Sequence, residues 1–105
     1  MLEVMAAAAM LLQQGQATAC VAAPAKGHTG AANLAWVTGY EPLTFGKKTY
    51  TKYGLPRVLG PTEVELVGSY KGGFLYAETG NPARDVLYLL TNLAGCEFQP
   101  YQIDQ

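Results

Sequence analysis

The stretch from Thr62 to Thr79 constrains the fold more tightly than any other part of the chain. Thr62-Glu63-Val64-Glu65-Leu66-Val67 alternates, with Val64 and Leu66 facing inward and Glu63 and Glu65 outward. Lys71-Gly72-Gly73 then supplies glycines able to take the positive φ angles of a tight hairpin turn. Phe74-Leu75-Tyr76-Ala77-Glu78 reads as the return strand. A hairpin commits the fold to an antiparallel sheet, and the other elements must pack around it.

On either side, the pattern predicts helices. Leu2, Met5, Ala9 and Leu12 recur at helical spacing, so residues 2 to about 22 read as an alanine-rich helix, weakened at Gly15. Near the other end, Asn81 and Pro82 are a cap and a first-turn residue. Asp85 suits the positive end of a helix dipole, and Val86, Leu90 and Leu93 form a stripe. Gly95 would end this helix as a left-handed cap. Leu34 to Tyr40 reads as a strand through Trp36 and Val37, and Cys96 to Gln99 as a last strand stopped by Pro100. Gly54 to Pro61, with two prolines and two glycines, reads as irregular. The expected fold is α+β in a single domain, residues 1–105. A small, mostly antiparallel sheet of about four to five strands would carry both helices on one face. The last strand is free to run parallel to a hairpin strand through a crossover.

Half of the 105 residues are apolar and 14% are charged, which excludes a disordered chain. Seven tyrosines, three phenylalanines and one tryptophan leave apolar and amphipathic surface for a small domain to cover, so a homo-oligomer is expected. Cys20 and Cys96 form no CxxC or Cys/His cluster, which gives no support for a metal site. Two buried free thiols are the expectation, and one disulfide in an oxidising compartment is the alternative. The apolar run Val4 to Leu12 is too short to span a bilayer. Ala17-Thr18-Ala19 matches a leader-peptidase pattern, yet Glu3 stands where a leader carries Lys or Arg. The reading favours a retained helix and a cytoplasmic protein, with secretion as the alternative if residues 1–19 are a signal peptide.

No catalytic motif is complete and no cofactor fingerprint is present. The run Phe45 to Arg57 holds four of the seven basic residues and no acid, in a chain of net charge −1. Lys47, Lys48, Lys52 and Arg57 with Tyr50 and Tyr53 would suit an anionic protein or single-stranded nucleic acid, cations tracking charge and rings stacking. The bland alternative is an edge strand guarded by lysines. A pocket between sheet and helices would use Trp36, Tyr70 and Tyr76 as walls and His28 or Glu78 as its polar group. The glycine-rich loop Lys26 to Gly30 could offer amides to phosphate, and Cys20 with His28 could form a nucleophile and base. These readings point to a small non-enzymatic protein that binds or self-assembles, for instance an accessory or virion protein of a mobile element. A small-ligand binder or enzyme with an aromatic pocket is one alternative, and a nucleic-acid-binding module is the other.

Overall fold

The computed structural model describes residues 20–104. They form one antiparallel sheet of seven strands and a single helical turn. The strands are β1 (Leu43–Phe45), β2 (Lys48–Lys52), β3 (Arg57–Val58), β4 (Val64–Tyr70), β5 (Gly73–Glu78), β6 (Val86–Asn92) and β7 (Glu97–Ile103). The order is β1-β2-β7-β6-β5-β4, and β3 pairs with β7 beyond the end of β2. The expected hairpin is present as β4–β5. Its two-residue turn has positive φ at both Lys71 and Gly72, the geometry whose twist matches the flanking strands. Gly46 and Lys47 make the same kind of turn between β1 and β2.

The α+β expectation is overturned: strands dominate, and α1 (Ala35–Thr38) is the only helix among the described residues. The helix expected after Pro82 is instead strand β6. Val86 to Leu90 is buried or half-buried at every position, with Leu87 and Leu89 packed on one face and Tyr88 and Leu90 on the other. A short apolar run that buries both faces satisfies a helical stripe and a strand equally well by spacing. Local chemistry then decides. Arg84 takes φ +53, outside helical geometry, and Asn81 Oδ1 accepts from the Ala83 N–H in a turn rather than capping a helix. Gly95 caps nothing, and the left-handed residue of the β6–β7 turn is Cys96 at φ +55. The β6–β7 pair is antiparallel, so no crossover exists there. Leu34 to Tyr40 is not a strand: Thr38 and Gly39 donate back to Leu34 and Ala35, and Tyr40 turns out at φ +60. The helix expected over residues 2–22 lies outside the described residues except at Cys20, Val21 and Ala22, which are irregular.

Bulges in β4 between Leu66 and Gly68, and in β6 between Leu90 and Asn92, add twist and curl the sheet. The curl brings edge strand β1 toward edge strand β4, and the Phe45 ring lies where a Cβ on Gly68 would be, 2.5 Å away. Inside the curl, Leu43, Tyr50, Leu75, Ala77, Leu87, Leu89 and Tyr101 form the main core, joined by Trp36 and Val37 from α1. On the outer face, Leu59, Val64, Tyr76, Leu90 and Phe98 form a second cluster. Val21 packs onto that cluster, held there because Cys20 is joined to Cys96 by a disulfide, Cα–Cα 5.4 Å. The two thiols expected to be free are therefore one cross-link.

Candidate ligand-binding site

Pro100 positions the site. The sequence reads it as a strand terminator, but β7 runs through it to Ile103. Proline brings no N–H to a ladder, so a central strand tolerates it only where the neighbouring strand is interrupted. The interruption is here: β2 ends at Lys52, β3 begins at Arg57, and Tyr53 to Pro56 bulges away between them. The bulge is tied at its base. The Tyr53 N–H donates to the Pro100 carbonyl at 3.0 Å. The buried Gln99 amide nitrogen lies 3.2 Å from the Tyr53 carbonyl and 3.1 Å from those of Gly54 and Pro100. One buried side chain thus satisfies carbonyls that the missing ladder leaves open.

Between this bulge and the outer face of β6 and β7 lies a groove of about 460 Å³, lined by Tyr53, Gly54, Leu55, Arg57, Val86, Tyr88 and Pro100. Its volume falls within the range of small-molecule sites. Val86, Pro100 and the Tyr88 ring give it apolar and aromatic walls. The Arg57 guanidinium donates to the Tyr88 hydroxyl at 3.1 Å and sits 5.8 Å from that ring's centroid. Its hydrogen-bond partner is thus a neutral phenol rather than a carboxylate. Leu55 is 82% exposed and Tyr53 51%, so the groove has an apolar rim. An apolar groove with one guanidinium fits a ligand with an anionic group on an apolar or aromatic body.

The other cations of the run Phe45 to Arg57 do not join Arg57 on this surface. Arg57 stands opposite Phe98 and Tyr50 opposite Ile103, with Lys48 two residues further on, about 23 Å from Arg57 along β7. Lys47 is in the exposed β1–β2 turn. Lys52 is occupied, its Nζ donating to the Val37 carbonyl at 3.1 Å and lying 4.1 Å over the Tyr40 ring. Tyr50 is buried in the core, where its hydroxyl donates to the Arg84 carbonyl at 2.9 Å, so its ring is closed to an outside ligand. Burial first, and then the Asp85 charge, raise its pKa against a smaller lowering by Arg84.

The five residues named as pocket walls and candidate polar groups are not brought together, and their aromatic members are divided between the two faces of the sheet. Trp36 and Tyr70 meet edge to face at 5.0 Å, and the indole N–H donates to the Lys71 carbonyl. Tyr76 packs on Phe98 in the outer cluster, where burial raises its pKa. His28 meets Phe74 edge to face at 4.8 Å. Glu78 accepts from the Asn81 side-chain amide. Tyr76 lines an outer-face cavity with Val21, Val64 and Leu66, apart from Trp36, Tyr70 and His28.

Cys20 is in the disulfide, which removes the nucleophile of the Cys20–His28 pair. The glycine-rich loop is laced to β6 by Ala31 N–H to the Leu90 carbonyl and Leu93 N–H to the Thr29 carbonyl. Glu97 lines the cavity beside that loop, which disfavours phosphate there. Glu63 accepts from the Gly60 N–H at 2.7 Å. Among the described residues, no three His, Cys, Asp or Glu side chains cluster as a metal site would require.

Comparison with family models, with curated proteins and with solved structures finds no match to this chain. Among the described residues no helix is long and apolar enough to cross a membrane. Of the groove's residues, the sequence singled out Tyr53 and Arg57. Val86 and Tyr88 were hidden in the expected helix and Pro100 in the expected strand end.

Proposed function

We propose that this is a small binding protein without catalysis of its own, and that it holds an apolar or aromatic anion in the Tyr53–Arg57 groove. The observation that carries the proposal is the Arg57 guanidinium, bonded to a neutral phenol at the mouth of an aromatic groove. An arginine placed this way offers charge-assisted hydrogen bonds to a carboxylate or sulfonate. The separation of Arg57 from Lys48 supports this reading over a nucleic-acid track, which needs cations in a continuous path.

The test is titration with anilinonaphthalene sulfonate, an aromatic anion that fluoresces in apolar surroundings. The wild type takes up one equivalent. Arg57→Ala weakens binding about tenfold, the loss of one charged hydrogen bond. Lys48→Ala, remote from the groove, binds as the wild type does. Equal binding by Arg57→Ala, or none by the wild type, refutes the proposal.

The exposed side chains of Leu55 and Tyr53 favour a second reading, in which two copies associate through this same rim. Sedimentation velocity across micromolar concentrations separates the two. A dimer that Leu55→Ser dissolves would assign the rim to self-association, while a monomer at all concentrations leaves it to a ligand.

A further inference from the structure

We propose that the chain is cut between Ala19 and Cys20 and exported, so that the mature protein begins at Cys20. Two independent lines meet at this peptide bond. In the sequence, Val4 to Leu12 is an apolar run of nine residues, and Ala17 and Ala19 place small side chains at the two positions a leader peptidase reads. In the structure, the very next residue is cross-linked to Cys96. Disulfides of this structural kind form and persist in oxidising compartments, which a cytoplasmic chain does not reach. Glu3 departs from the usual basic start of a leader. The assignment stands on the apolar run, the alanine pair and the disulfide.

The chemistry is ordinary. Water hydrolyses the Ala19–Cys20 amide, leaving a carboxylate on Ala19 and a free amine on Cys20. The two thiols lose two protons and two electrons to a disulfide-carrying oxidoreductase, which leaves as a dithiol. The proposal is independent of the groove and its ligand.

The test is expression of the full chain in a bacterium with an oxidising periplasm, followed by fractionation. N-terminal sequencing and intact mass after thiol alkylation without reduction are then recorded. The expected product is periplasmic, begins Cys20-Val21-Ala22-Ala23 and takes up no alkylating agent. Ala19→Tyr accumulates as the uncut precursor. A periplasmic protein that keeps residues 1–19 or is cut at another bond overturns the proposal. So does a cytoplasmic protein with two alkylated thiols. The wild-type N-terminus is decisive even where the variant is degraded.

Discussion

Replacing Tyr101 by Phe should make this protein more stable. Tyr101 is fully buried inside the curl, and its hydroxyl has no hydrogen-bond partner among the described residues. Burying an unpaired hydroxyl costs about 1–3 kcal/mol. Phe keeps the ring and its contacts with Trp36, whose centroid is 6.0 Å away, and removes the orphaned group. The net gain should be about 1–2 kcal/mol at pH 7, or about 4–8 °C in Tm for each kcal/mol. Alkaline pH enlarges the difference. Burial pushes the Tyr101 pKa up to about 12, against an ordinary unfolded value of about 10. Between those values the unfolded chain releases this proton while the folded one keeps it. The unfolded state therefore binds fewer protons, and stability falls as pH rises. Two pKa units correspond to about 2.7 kcal/mol, a loss that Tyr101→Phe escapes. Urea unfolding at pH 7 and from pH 9 to 12 measures both effects, and an unchanged m-value confirms that only stability has moved. A destabilised Phe variant, or identical alkaline losses in both proteins, would refute the reasoning.

Three further outcomes are expected. Changing both Cys20 and Cys96 to Ser should cost about 2–5 kcal/mol in urea unfolding, since the bridge links residues 76 apart and pins Val21 to the outer cluster. Gly68→Ala should cost about 1–3 kcal/mol, because the new methyl must push aside the Phe45 ring that sits where the sheet curls back on itself. Gln99→Leu should lower stability by about 1–3 kcal/mol by leaving the carbonyls of Tyr53 and Gly54 unsatisfied. It should also loosen the bulge and weaken anilinonaphthalene sulfonate binding more than Gly68→Ala does.

The hairpin was legible because its two signals agree: alternation from Thr62 to Val67 and a turn of Lys71 and Gly72 that takes positive φ. Even there, Leu66 is half exposed although it shares a face with buried Val64, because β4 is an edge strand of the sheet. Residues 82–94 misled because Val86, Leu90 and Leu93 satisfy a helical stripe. The intervening Leu87, Tyr88 and Leu89 are apolar too, which is what a strand covered on both faces requires. At Leu34 to Tyr40, strand-favouring Trp36 and Val37 were overridden by tertiary packing of a single helical turn into the core. Two cysteines allow only one pairing, but spacing says nothing of their oxidation. The groove was half legible. Tyr53 and Arg57 stand out by composition, whereas Tyr88 and Pro100 reach them only through strand register. The apolar-polar alternation of Phe98-Gln99 changes phase at Pro100 before Tyr101-Gln102-Ile103 resumes it, because Phe98 packs on the outer face and Tyr101 and Ile103 on the inner one, so periodicity alone gave no sign that the strand continues.

The central claim is that the groove beneath the Tyr53–Arg57 bulge is a binding site. Backbone amide chemical shifts of the oxidised protein, followed as anilinonaphthalene sulfonate is added, test it most directly. The account predicts shifts concentrated at Tyr53, Gly54, Leu55, Arg57, Val86 and Tyr88, with Thr29 to Asn33 and Lys47 to Thr49 unmoved. Shifts centred on the Thr29–Asn33 loop, or scattered without a focus, would contradict it.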